Sequence, residues 1–207
     1  MTLRLSRGNL AALGTRARTP AYDARDLRAG IVHIGVGNFH RAHQAVYLDD
    51  LFDSGVDLDW ALIGTGVRAD DDAMRRDLLS QDLLTTVVEQ GVRRTDVRIT
   101  ASMVDFLQAG DSDAILARLD DPAIRIVSLT ITEGGYFMDP ATQRFDATHP
   151  DIRADTIALA NLPDAPRSAR PQTVFGLIVA ALVRRRAAGI ARVREKRVKQ
   201  HRPPHSR

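Results

Sequence analysis

The chain has no cysteine, which excludes disulfides and thiolate metal sites. It has no uninterrupted apolar run near the roughly 20 residues that a membrane helix needs, and Met1 to Thr19 lack the apolar core of a signal peptide. A cytoplasmic protein that meets no membrane is therefore expected. Lysine is almost missing: of 29 Lys/Arg only Lys196 and Lys199 are lysines, and both fall in the last sixteen residues.

What is present fits one ordinary domain. The 207 residues are 44% hydrophobic and 27% charged, enough for a sizeable core and unlike a disordered chain. The net charge of +3 is unevenly spread. Residues 184–207 hold ten Lys/Arg and one acid, Glu195, which leaves 19 basic and 25 acidic residues, net −6, in 1–183. An acidic body carries no electrostatic footprint for nucleic acid, and the basic tail offers no aromatic stacking platform.

Residues 1–29 show no clear periodicity and read as an irregular lead-in, with room for a short helix. Ile31–Gly35 has the pattern of a short buried strand. Apolar positions from Phe39 to Phe52 follow helical spacing, closed by Asp53-Ser54-Gly55. Trp60–Gly64 reads as a second strand, with Trp60 in the core, and 70–81 as a helix with acids at its start. Strands are expected at 84–89 and 93–99, and helices at 112–119, 151–160 and 172–186. "IRIVSLTI", 124–131, is the most strand-like run. Alternating strands and helices predict an α/β domain with a mostly parallel sheet. The Arg184–Arg186 run reads as a solvated helix end.

"IVHIGVGNFHRAH", 31–43, sets a glycine turn between a strand pattern and a helix pattern, the context of a dinucleotide-binding turn. Gly35 would permit the tight turn. Gly37 would let backbone approach a pyrophosphate, and N–H groups near Asn38 to His40 would face it. Arg41 adds a cation. His40 stands where the usual third glycine would be, so close helix–strand packing would fall to Ala42. The same stretch also reads as a strand–helix connection that binds nothing. Asp70, followed by Asp71 and Asp72, is the candidate for ribose recognition or else an acid opening the next helix, and Arg68 leaves NADP open beside NAD. His33, inside a strand pattern, reads as a core or edge histidine. His40 and His43 stand at i and i+3 without a matching acid, so no metal site is expected.

"IVHIGVGNFHRAHQAVYLDDLF", "WALIGTGVR", "AMRRDLLSQDLLTTVVEQ" and "SLTITEGGYFMD" resemble the mannitol dehydrogenase family of polyol-specific long-chain dehydrogenases, over about residues 28–190. The resemblance implies a Rossmann-type, doubly wound domain that binds NAD without a catalytic metal. It implies hydride transfer between NAD and a secondary alcohol of a sugar alcohol, as in mannitol 2-dehydrogenase, or reduction of a sugar acid, as in fructuronate reductase. A nucleotide- or partner-binding module without catalysis is the reading from another class. Cofactor contacts are implied for Ile34, Gly35, Val36, Gly37, Asn38, Phe39, His40, Arg41 and Asp70, and for Thr132, Glu133 and Gly134 in a second loop; Glu133 also reads as a solvated loop carboxylate. The family's later Ser-Cys-Asp-Asn segment, its catalytic Lys, Asn and His, and its helical substrate domain have no counterpart here, so no catalytic residue is assigned. A monomer is expected.

The expected organisation is a lead-in at 1–29, an incomplete nucleotide-binding domain at 30–190 and a basic, disordered tail at 191–207. Residues 192–207 hold seven Lys/Arg, one acid and both lysines, and the likeness stops where they begin. That change of residue usage suggests the product of a shifted reading frame, disordered and without a function of its own.

Overall fold

The computed structural model describes residues 4–66, 71–131, 133–160 and 169–190. Asp70, Arg68, Thr132 and the tail from 191 onward lie outside the described residues.

Four strands form a parallel sheet: β1 (Ala29–Ile34), β2 (Ala61–Thr65), β5 (Met103–Leu107) and β6 (Ile126–Leu129). Their spatial order is β5-β2-β1-β6. Counted along the chain, that is third, second, first, fourth, the first half of a doubly wound Rossmann sheet. Between β2 and β5 the chain inserts an antiparallel hairpin, β3 (Thr85–Gln90) and β4 (Thr95–Thr100). Among the described residues the α-helices are α1 (Asn38–Ala42), α2 (Gln44–Asp53), α3 (Asp72–Ser80), α4 (Ser112–Asp120), α5 (Pro150–Leu159) and α6 (Val174–Ala187).

The central strands are buried on both faces, as strands covered by helices on two sides must be. Alternation in β1 sorts its side chains. Val32 and Ile34 join Ile63, Ile115, Leu116, Leu119, Leu177 and Ala180 under α4 and α6. Ile31 joins Leu62, Ala45, Leu78, Met103 and Phe106 under α2 and α3. The lead-in coils in 3-10 turns over Arg7–Arg16, interrupted at Gly14, and lays Leu5, Leu10 and Leu13 on Leu84, just before the hairpin, and Ile99 of β4. Buried Asp49 of α2 ties these parts together, accepting from Tyr22 Oη (2.6 Å), Arg98 Nη2 (2.9 Å) and Ala101 N (3.0 Å).

Four local expectations are corrected. The helix expected from Phe39 to Phe52 is two helices, because His43 (φ −124°, ψ −79°) leaves helical geometry between them. Strand β5, not anticipated, is a five-residue edge strand whose outward Asp105 pairs with Arg118 at 3.2 Å. Trp60 is half-buried and precedes β2, with the Arg125 guanidinium 3.5 Å above its ring. The arginines of α6 are not a solvated run. Arg185 is buried and its Nη1 donates to the carbonyls of Leu119 (2.9 Å) and Asp121 (2.8 Å), filling the open C-terminus of α4. Arg184 is buried too, against Asp120 and the Ala169 carbonyl.

Candidate functional site

In an open doubly wound sheet, ligands bind outside the carboxyl ends of the strands where the winding reverses. Here that point lies between β1 and β6, whose exits are the Gly35–Arg41 turn and the loop from Thr130 to Tyr136. The two glycines divide the work. Gly35 has φ +90°, and a Cβ there would collide with the Thr130 carbonyl. Its N–H donates to Thr65 O (2.8 Å), while Thr130 N donates to Ile34 O (3.0 Å). Gly35 is therefore required by the fold. Gly37 is extended (φ −126°, ψ −171°), and a Cβ on it would meet nothing nearer than Gly35 O at 3.9 Å. Its bare backbone faces open space, which a side chain would fill without straining the chain.

Ile34 and Val36 are buried on opposite sides of the sheet, so their side chains support the turn and only their backbone can face a ligand. Asn38 and Phe39 are exposed, Phe39 with its ring 4.5 Å from that of His43. The Asn38 side-chain carbonyl accepts from Arg41 Nη2 at 2.5 Å. Arg41 forms no ion pair among the described residues, and its Nε is buried without a hydrogen-bond partner. Burial pushes its pKa below the ordinary arginine value. A half-buried cation beside a bare glycine backbone is suited to an anion.

His40 is 1% exposed and stacks on His33, with centroids 3.7 Å apart and planes 16° from parallel. The helix–strand contact expected from Ala42 is made by these rings instead, and Ala42 is exposed. Both His40 ring nitrogens are buried without a partner. Desolvation above all, then His33 and Arg41, pushes its pKa down to about 3. His33, 2% exposed, is pushed down to about 4 by burial, partly offset by the Gly35 carbonyl. The core placement expected for His33 is what the structure has. Sequence reasoning gave no hint that Nδ1 of His33 meets Ser128 Oγ (2.8 Å) and Nε2 meets Thr130 Oγ1 (2.5 Å).

In the second loop, Glu133 and Gly134 open a 3-10 turn, Glu133–Tyr136, directly beyond β6. At the end of β2, Asp71 and Asp72 start α3, and Asp72 Oδ1 accepts from Ala109 N (3.3 Å). Asp72 thus holds the β5–α4 connection. Among the described residues, no cluster of three or more His, Asp or Glu could hold a metal ion, and no helix is long and apolar enough to cross a membrane. A cavity of about 580 Å³ lies beyond β5, lined by Gly110, Asp111, Ser112, Asp113, Arg170 and Gln172. Its polar groups serve the fold: Asp111 caps α4, Asp113 pairs with Arg170 (2.6 Å) and the Ser112 hydroxyl donates to Pro171 O (2.8 Å).

Known proteins share this arrangement. The family model described as the mannitol dehydrogenase Rossmann domain matches residues 29–193. Mannitol 2-dehydrogenase of Cereibacter sphaeroides is 53% identical over 178 residues, covering 85% of this chain and 35% of its own length. That of Pyricularia oryzae is 41% identical over 195 residues, covering 92% and 38%. A solved mannitol 2-dehydrogenase of Pseudomonas fluorescens, a ternary complex with NAD and D-mannitol, superposes with a TM-score of 0.80 at 47% identity, over 91% of this chain and 37% of that one. The chain therefore spans a little over a third of the length of these relatives.

Proposed function

The chain belongs to the mannitol dehydrogenase family, and from that premise we propose that residues 30–190 form the NAD-binding unit of a polyol dehydrogenase. The substrate class is a sugar alcohol of the mannitol type, since the relatives include mannitol 2-dehydrogenases and a solved complex of one with NAD and D-mannitol. When bound, NAD supplies the hydride acceptor for a secondary alcohol. The chain's own residues bind and orient it. Gly35 shapes the turn and Gly37 admits the pyrophosphate to bare backbone. Asn38 holds Arg41, whose guanidinium faces the phosphate charge. Phe39 and His40 form the first helical turn over the crevice, and Ile34 and Val36 anchor it from below. Thr132, Glu133 and Gly134 are assigned to the cofactor's other side, and Asp70 to the ribose.

The observation that carries this reading is the open face of Gly37 next to a cation with no ion pair among the described residues, at the reversal of the sheet. The fold needs no glycine there, because φ is extended and a Cβ would have room. Close approach of a ligand supplies the need. Calorimetric titration of the chain and of Gly37→Val with NADH tests it: the wild type binds and the variant loses binding at unchanged stability. We further propose a cytoplasmic monomer with a small-molecule substrate; the acidic body, net −6 over 1–183, speaks against a nucleic-acid partner.

A further inference from the structure

The imidazole of His33 links three parts of the crevice to β1. It stands on β1, its Nδ1 reaches Ser128 on β6, its Nε2 reaches Thr130 in the loop beyond β6, and its face lies on His40 of α1. The hydroxyl of Ser128 donates onward to Gln44 Oε1 (3.3 Å), at the start of α2. His33 thus bridges a hydroxyl on β6 and a hydroxyl in the loop beyond it, one ring nitrogen donating and the other accepting in the neutral imidazole. The carbonyl of the same Thr130 is the group that leaves no room for a Cβ on Gly35. One ring therefore sets the distance between the glycine turn and the opposite loop.

We propose that His33 is a positioning residue for the dinucleotide: it clamps β6 and its exit loop to the glycine turn and so fixes the width of the crevice that the cofactor spans. The inference rests on the NAD-binding reading above. Its physical basis is that a buried, fully bonded polar contact specifies one arrangement of its neighbours, whereas an apolar residue of the same volume would pack there without fixing register. The ring is neutral at physiological pH, as burial dictates. It therefore serves as a fixed donor–acceptor pair and carries no charge to the cofactor. A dinucleotide lies across both sides of β1, while a mononucleotide needs only one half of such a sheet. Loosening β6 from β1 should weaken the first and spare the second.

The test compares NADH and AMP binding to the full chain, to His33→Phe, to Thr130→Val and to Gly37→Val, well below each melting temperature. His33→Phe keeps an aromatic ring for the stack, at a slightly larger volume, but loses both hydrogen bonds. The expected result is a loss of about ten-fold or more in NADH affinity, the scale of one or two net hydrogen bonds, with AMP affinity within about two-fold of wild type. Thr130→Val, which removes one of the two bonds, shows a smaller loss with the same selectivity. If NADH and AMP weaken together, or neither weakens, the proposal is overturned. Should His33→Phe not fold, Thr130→Val and Ser128→Ala decide by the same criterion. If the wild type binds no NADH, or Gly37→Val binds it as well as wild type, the site reading itself fails and takes the clamp with it. Wild-type binding lost in Gly37→Val but unaltered in His33→Phe removes the clamp alone.

Discussion

His33 and His40 lie face to face, 3.7 Å between ring centroids, both almost wholly removed from water. Neither ring can take a proton without placing a charge in the core and against its neighbour. Their native pKa values, about 4 and about 3, lie below the ordinary histidine value of 6.5. Above pH 6.5 both states of the chain hold these rings neutral, and they add no pH dependence. Between 6.5 and 4 the unfolded chain binds protons that the native chain does not, so stability falls as pH falls. Each ten-fold loss of proton affinity on folding is worth about 1.4 kcal/mol, so the pair costs several kcal/mol by pH 4, on the scale of a whole domain's stability. Buried Asp49, whose carboxyl is pushed up by desolvation, works in the opposite sense. The carboxyls held low, Asp50 with its Arg98 partner among them, lose their contribution only below the ordinary carboxylate value of 3.8. Urea midpoints at pH 7.5, 6 and 5 should drop steadily, and the double variant His33→Phe, His40→Phe should flatten the slope. Equal midpoints at pH 7.5 and 5 contradict this account.

Adjacent arginines of α6 should differ sharply. Arg185→Ala strips the donor from two carbonyls at the end of α4 and leaves a void, costing about 1–3 kcal/mol. Arg186 is exposed, and Arg186→Ala should stay within about 0.5 kcal/mol. Chemical denaturation of both variants distinguishes a buried helix-end contact from a solvated basic run, for which the two would behave alike.

The chain by itself should not oxidise mannitol at a measurable rate. A proton acceptor within hydrogen-bond reach of the carbinol typically contributes about 10²–10⁴-fold, and substrate positioning contributes more. The only lysines, Lys196 and Lys199, stand in the basic tail, past the stretch that carries the family likeness. NADH formation followed at 340 nm with purified chain and mannitol should match the buffer blank. Ordinary turnover would show that a base is present after all.

The sequence made the central strands and the glycine turn legible because their signals are local. A β-branched run ending in Gly35-Val36-Gly37 is readable without a tertiary partner. Strand β5 was not legible. It follows β4 after only Ala101 and Ser102, and its Asp105 breaks the apolar run because an edge strand can turn one residue to water. The break at His43 was hidden because apolar spacing continues across it, while the buried face shifts from His40 to Ala45. Arg184 and Arg185 were misread because cations suit any helix C-terminus, and the carbonyls that receive Arg185 lie 66 and 64 residues earlier. Within the site, the motif already separates Gly35, for the turn, from Gly37, for a ligand's approach; φ and the space around each add that the fold itself needs only the first. The bonds of His33 reach 95 and 97 residues along the chain, beyond any local pattern.

The central claim is that Gly37 is bare so that a dinucleotide can approach, and calorimetric titration of NADH into wild type, Gly37→Val and Gly35→Ala tests it most directly. Gly35→Ala should lose stability, by about 2 kcal/mol or more, because its φ of +90° and the Thr130 carbonyl both oppose a side chain. Gly37→Val should unfold at the wild-type midpoint yet bind NADH at least about ten-fold more weakly. Wild-type binding that survives undiminished in Gly37→Val would contradict the account.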